Sequence, residues 1–281
     1  LPLHSARLEE PVVNLTERDL QKGFKALKVK APVIVHASLS SFGYVEGGAA
    51  TVVESLLAVF PMVMMPTFTY KTMITPLVGP PDNGLTYGSG SDANRLAEFF
   101  TPEMPADSLM GIIPETLRRH PRARRSAHPI LSFCGVNVDF ALRTQTLAQP
   151  FAPIGALAAR EGWVLLLGVD HTVNTSIHYA EQLAGRKTFV RWALTPQGVI
   201  ECPNFPGCSA GFQAIAPYLQ KSTRREHIGN ALVQAVPLRV LFEKTSACLR
   251  ADPLALLCTQ QTCERCAQVR AIVSAHASRA A

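Results

Sequence analysis

Residues 32–66 read PVIVHASLSSFGYVEGGAATVVESLLAVFPMVMMP. Two short apolar runs, Pro32–Val35 and Val63–Met65, bracket a polar loop and a segment of helical pattern. Val33, Ile34 and Val35 form a continuous β-branched run, the mark of a strand buried on both faces. That run ends at His36 and the second ends at Pro66. Between them, Gly47–Phe60 carries Val52, Val53, Leu56, Leu57 and Phe60 at helical spacing behind a Gly-Gly start. Strand, loop, helix, strand is the repeating unit of a parallel sheet. The pattern returns as a helix over Ile154–Glu161, a strand over Val164–Leu167 and a helix over Thr175–Ala184. It predicts one α/β domain over residues 1–281, three layers α/β/α around a mostly parallel central sheet. His36, Thr67 and Asp170 fall at the C-terminal ends of these strands, where open α/β sheets bind ligands.

Outward from this unit, Thr16 precedes Glu17 and Asp19 and then Leu20, Phe24 and Leu27, which predicts a capped helix over Thr16–Leu27. Residues 71–110 are rich in Pro, Gly, Asn and Ser, with little periodicity before Asn94–Phe100, and read as a long functional loop. Phe189–Leu194 and Val199–Glu201, joined by Thr195-Pro196-Gln197-Gly198, read as a β-hairpin. Gly211–Leu219 reads as a helix, Ile228–Leu241 alternates toward β, and Pro253–Arg270 returns to helix within a Cys-rich segment at 246–281. The Ala-, Ser- and Arg-rich end, Ala271–Ala281, is expected to fray.

The 281 residues are 47% hydrophobic and 17% charged, the balance of a globular protein. The longest apolar stretch, near Val59–Met65, is interrupted by Pro61, so no membrane span is expected. Leu1–Arg7 has no basic region followed by an apolar one, which predicts no signal peptide and a cytoplasmic location. Seven cysteines, an odd number, argue against a disulfide framework. The net charge is +6, unevenly spread. Glu46–Glu115 holds eight acids against Lys71 and Arg95, whereas Leu117–His128 holds five arginines and no acid. Acidic surface for a cationic acceptor and basic surface for an anionic donor are one reading; ordinary solvated charge is the other.

Three segments carry the chemistry. His36-Ala37-Ser38-Leu39-Ser40-Ser41-Phe42-Gly43 is a strand-to-helix loop of small polar residues, suited to phosphate or pantetheine oxygens. No Gly-Lys-Ser/Thr closes it, so it is not a nucleotide P-loop. Arg125-Ser126-Ala127-His128-Pro129 sets a hydroxyl and an imidazole beside a proline, although a histidine hydrogen-bonded within a turn reads the same way. In the third, Asn174–Glu181, His178 and Glu181 stand three apart on one helical face behind a capping Thr175. A carboxylate beside an imidazole fixes its tautomer and raises its basicity, as a general base requires. The plain alternative is a His–Glu pair that decorates a helix.

Taken in order, the motifs show a resemblance. His-x-Ser-Leu-Ser-x-x-Gly at 36–43 with Gly-Gly-Ala at 47–49, Met-Pro-Thr-Phe-Thr at 65–69, Gly-x-x-x-Glu-x-x-Arg at 111–118, Arg-Ser-x-His-Pro at 125–129 and Asn-Thr-x-x-His-x-Ala-Glu at 174–181 look like the aminoglycoside 3-N-acetyltransferase family, from about residue 15 to 245. The resemblance implies a fold distinct from the common small acetyltransferases, acetyl-CoA as donor and a primary amine as acceptor. It implies Ser38, Leu39, Ser40 and Ser41 with Arg125 and Ser126 along the CoA, and His36, His128, His178 and Glu181 around the reacting centre. An aminoglycoside's ammonium groups would need acidic or polar partners, for which Glu46, Asp107, Glu115, Asp170 and Asn174 are the candidates. Direct transfer is expected, with His178 the base, oriented by Glu181, and His128 or His36 as rivals. Lys71–Tyr87 has one acid and no Trp, where resistance members often carry a Trp- and Asp-rich loop, so a metabolic amine stands beside an aminoglycoside as acceptor.

Cys258-x4-Cys263-x2-Cys266 has the spacing of half a structural zinc site, with Cys202, Cys208, Cys248 or His227 as fourth ligand; free thiols on a helix are the alternative. A CoA-binding sensor would lose the histidines, which are present. A nucleic-acid partner finds no recognition motif beside the arginines. A Ser126–His128 hydrolase lacks the Gly-x-Ser-x-Gly elbow, whereas slow thioester hydrolysis would use the same site. The expected partner is a small-molecule amine, with no nucleic acid or membrane, and the chain is expected to be a monomer or homodimer.

Overall fold

The computed structural model describes residues 14–280, with side chains to residue 275. The opening Leu1–Arg7 lies outside the described residues. Among those residues, no helix is long and apolar enough to cross a membrane.

Seven strands form the main sheet, in the order Arg224–Ile228, Ala231–Pro237, Trp163–Leu167, Val33–Ala37, Val63–Pro66, Phe133–Val136 and Arg124–Arg125. Val33–Ala37 pairs in parallel with both Val63–Pro66 and Trp163–Leu167. The four outer pairings are antiparallel. The α/β reading therefore holds, but the mostly parallel sheet does not. Only the three central strands are parallel. The two edge strands join their neighbours by the short returns 229–230 and 126–132, too short for the crossover a parallel neighbour needs.

Side chains alternate between two cores. Ile34, Met64, Val164 and Leu166 face one core, with Ile154, Ile177 and Leu241 from the helices Ala152–Ala158, Ser176–Leu183 and Leu238–Ala251. Val33, Val35, Val63, Met65, Leu165 and Leu167 face the other, with Leu20, Val52, Leu56 and Leu117 from Glu17–Ala26, Gly48–Val59 and Ile112–Arg119. Burial on both faces is why these strands are apolar but for His36 near the end of the first. The Thr16 cap forms as expected, its Oγ1 accepting from Asp19 N and its N–H reaching the Asp19 carboxylate at 3.0 Å.

The hairpin forms as Phe189–Thr195 with Gly198–Phe205, and Met73–Ile74 adds a third strand. Residues 71–110 are largely irregular, with one short helix at Ser91–Arg95. Gly211–Leu219 splits into a 3-10 turn, Phe212–Ile215, and one α turn, Ala216–Leu219. The β reading of 228–241 runs too far, because a helix starts at Leu238 directly after Pro237. The helix expected over Pro253–Arg270 begins only at Glu264 and continues to Ala280, through the segment expected to fray. Turns occupy the region before it, with Leu256 at φ 65°.

Candidate active site

A cavity of about 1000 Å³ lies at the C-terminal ends of the central strands. Val35, His36 and Ala37 form its floor, Ser38, Leu39 and Ser40 one side, and His178 another. The loop after the first strand is kept compact by a single 3-10 turn, Ser40–Phe42, with Ser41 Oγ donating to Ser38 O at 2.7 Å. Ser41 therefore braces the loop from behind and does not line the cavity. Gly168, at φ +65°, lets the neighbouring strand turn away beneath it; a Cβ there would sit 1.7 Å from Ser41 Oγ.

His178 and Glu181 face each other across one turn of Ser176–Leu183, with Nδ1 2.9 Å from Glu181 Oε2. The other carboxylate oxygen accepts from Arg186 Nη1 at 3.2 Å. A carboxylate so placed fixes the Nδ1–H tautomer and leaves Nε2 as the basic nitrogen. Phe151 stacks on the His178 ring at 5.9 Å and Phe212 meets it edge-on at 4.7 Å, which sets its plane. Thr175 stands at the helix start but makes no side-chain cap; Asn174 Oδ1 accepts from Ser176 N instead, at 3.1 Å.

His36 also lines the cavity, and its Nε2 is buried with no partner among the described residues. Burial, then the nearby His171, pushes its imidazole down to about 3, so it stays neutral. His128 is held by a turn: its Nδ1 accepts from the N–H groups of Ile130 and Leu131 at 3.2 and 3.1 Å. Burial pushes it down to about 4, and it does not line the cavity.

The other expected site residues lie behind or beside the cavity. Arg125 spends its guanidinium on Ser132 Oγ and on the carbonyls of Pro102, Met104 and Thr67, tying two loops together. Ser126 Oγ accepts from Phe133 N at 2.9 Å and acts as a strand partner. Neither lines the cavity, because their polar atoms are already committed to backbone. Glu115 is consumed by Arg118 and Arg119, each at 2.7 Å, and by Ala106 N. Burial would raise its carboxyl, but these hydrogen bonds hold it at about 2. Asp107 and Asp170 cap 3-10 turns, accepting from Leu109 N and Thr172 N. Asn174 is fully buried against His171. Glu46 is exposed beside the lining residue Val45. Among these five, the structure sets Glu46, Asp107 and Asp170 next to lining residues and draws Glu115 and Asn174 into structural bonds.

The family model for aminoglycoside 3-N-acetyltransferases matches residues 34–250, which include the cavity floor, the serine loop and the His178–Glu181 pair. The chain belongs to the aminoglycoside 3-N-acetyltransferase family. It is 32% identical over 181 residues to the prophage-derived aminoglycoside N(3')-acetyltransferase-like protein YokD of Bacillus subtilis, covering 59% of this chain and 64% of that one. It is 32% identical over 166 residues to aminoglycoside N(3)-acetyltransferase IX of Micromonospora chalcea, covering 54% of this chain and 56% of that one. The matched parts thus span less than two thirds of these relatives. The solved aminoglycoside acetyltransferase AAC(3)-IVa shares the fold, with a TM-score of 0.76 at 23% identity, covering 93% of this chain and 99% of that one.

Some residues of this family member's cavity escaped the sequence reading. Tyr70 lines it, and burial raises its phenol to about 12, so it remains an O–H donor. Arg265 lines it from the start of the last helix, far along the chain from the motifs. His171 is buried at the strand end and pushed down to about 4 by burial. Its signal was present, because it adjoins Asp170 past the apolar strand. Cys208 joins Cys258, Cys263 and Cys266 in one cluster, selecting one of the four candidates for a fourth thiol or imidazole.

Proposed function

We propose that the chain is an acetyl-CoA-dependent N-acetyltransferase acting on a primary amine of an aminoglycoside. The observation that carries this reading is the His178–Glu181 pair, bonded through Nδ1, with the His178 ring on a cavity that also exposes the Ser38–Ser40 loop. A solved structure of the same fold, AAC-IIIb with CoASH, is consistent with a CoA ligand (21% identity, TM-score 0.69, covering 85% of this chain and 97% of that one). The donor supplies an activated thioester carbonyl. Ser38 and Ser40 offer hydroxyls to it, and His36 Nε2 is a buried polar atom still short of a partner. His178 Nε2 accepts the proton of the attacking amine while Glu181 stabilises the imidazolium. The N–C bond forms as the C–S bond breaks, and the proton leaves with the thiol. Amide N–H groups opening the 3-10 turn after Leu39 face no intrahelical acceptor and suit a developing oxyanion. Seven free cysteines favour a reducing compartment, hence the cytoplasm.

A second reading is favoured by charge. Among the described residues that line the cavity there is no carboxylate, and Arg265 is a fixed cation. An acceptor with fewer ammonium groups than a typical aminoglycoside fits such walls better. The test is CoA-thiol release from acetyl-CoA with a panel of aminoglycosides and small amines, wild type beside His178→Ala. Release that requires an acceptor and falls about 10²–10⁴-fold in the variant supports the transferase. Wild-type turnover in His178→Ala, or release indifferent to any acceptor, overturns it. The best acceptor in the panel separates the two readings.

A further inference from the structure

We infer that Cys208, Cys258, Cys263 and Cys266 bind one zinc ion, and that this ion pins the wall of the cavity formed by residues 206–209 and Arg265. The four Sγ atoms all lie within 4.8 Å of one another, and Cys258 and Cys266 are 3.5 Å apart. A tetrahedral zinc thiolate site with bonds of about 2.3 Å places its sulfurs about 3.8 Å apart. The cluster therefore has the size of such a site, and four mutually close thiols exceed what one disulfide requires. All seven cysteines are free.

The ligands come from three separated pieces of chain. Cys208 follows the strand Gly198–Phe205, Cys258 sits in the turns after Leu238–Ala251, and Cys263 and Cys266 straddle the start of Glu264–Ala280. Thiolates at a helix N-terminus are stabilised by its unpaired N–H groups and dipole. Two guanidinium groups tie the ligand-bearing segments together through backbone carbonyls. Arg265 donates to Pro206 O and Gly207 O, at 3.3 and 2.9 Å, and Arg270 donates to Cys258 O. A closed set of four protein sulfurs leaves no open position, which marks a structural ion and not a reactive one. Tetrahedral sulfur also suits iron, so the metal must be identified directly.

The consequence for the cavity follows from the chain path. Pro206, Gly207 and Ser209 flank Cys208 and line the cavity, as does Arg265 between Cys263 and Cys266. Phe205, Phe212, Leu256 and Val269 are buried in the neighbouring core, and beside them the ion ties the three ligand-bearing segments to one another. The kinetic consequence rests on the proposed acetyl transfer; the metal itself does not.

The experiment is elemental analysis of the full chain, purified reduced and without chelator, followed by exchange of its metal for Co²⁺. We expect about one zinc per chain, as for a site that contributes folding energy. We expect the intense visible bands and thiolate charge-transfer bands of tetrahedral Co²⁺, and loss of metal in Cys208→Ser and Cys263→Ser. The wild-type Co²⁺ spectrum decides the question even if those variants fail to fold. Less than about a tenth of an equivalent of zinc with no Zn²⁺ uptake by the reduced chain overturns the site. So does iron as the bound metal, or a disulfide among the four. With a substrate in hand, removing zinc should raise the acceptor KM several-fold more than it lowers kcat. Unchanged kinetics in the metal-free chain overturns the pinning of the wall and leaves the ion.

Discussion

His178 and Arg125 were both expected to touch ligands, and their surroundings separate them. Glu181 takes His178 Nδ1 and leaves Nε2 as the nitrogen that the proposed transfer uses as base. Glu181→Gln should therefore lower kcat, by less than the roughly 10²–10⁴-fold expected for His178→Ala, and alter the limb of the pH–rate profile that reports the base. An unaltered profile would place the base elsewhere. Arg125, by contrast, has its donors turned to carbonyls of the 67 and 102–104 loops. Arg125→Lys leaves some of those carbonyls unpaired and should lower stability by about 1–3 kcal/mol with little change in the KM for acetyl-CoA. Urea unfolding beside steady-state kinetics checks this; a large KM change at unchanged stability would restore Arg125 to the ligand. The family resemblance named Arg125 for the CoA, and the His178–Glu181 spacing together with the resemblance named His178. Neither said which donors were already spent, because the partners of Arg125 are carbonyls, which every residue carries.

Among the elements, the central strands were legible to within a residue. Val33–Val35 and Trp163–Leu167 are continuous apolar runs, and only a strand covered on both faces needs that. Boundaries failed where packing overrides local pattern. Leu238 and Val240 continue the two-residue alternation of the strand before them, yet they belong to a helix whose buried positions, Leu238, Leu241, Thr245 and Leu249, fall at helical spacing against the sheet core. The joint between Trp163–Leu167 and its loop predicts a sensitive position. Gly168→Ala would strain a left-handed φ of +65° and drive a methyl group into Ser41 Oγ. We expect a lower melting temperature and a raised KM for acetyl-CoA, because Ser41 braces the Ser38–Ser40 loop from behind. Calorimetry and kinetics on one preparation test this, and wild-type values in both would mean that the loop does not depend on that joint.

Over the whole molecule, burial of neutral imidazoles sets the response to acid. His36, His128 and His171 are held at about 3, 4 and 4, chiefly by burial. In the unfolded chain each titrates near 6.5. Between these values the unfolded state binds more protons, so stability is complete above pH 6.5 and falls as pH drops toward 4. His128 alone contributes an effect on the order of 3 kcal/mol across that range. The urea midpoint should stay level from pH 7.5 to about 6.5 and then fall toward pH 5, with a shallower fall in His128→Gln; a profile flat down to pH 5 would mean that these rings are solvated. The sequence by itself determined the α/β class, the central strands and the capped first helix, because burial and helical period are written locally in side-chain type, whereas the candidate site residues came from the ordered motifs and the family they resemble. Tertiary structure decided the mixed sheet order, the withdrawal of Arg125, Ser126 and Glu115 into structural bonds, the arrival of Arg265 and Tyr70 at the cavity, and the choice of Cys208 among the possible fourth ligands. Each of these depends on which distant segments meet, and hydrogen-bond partners and neighbouring thiols are fixed only when the chain closes on itself.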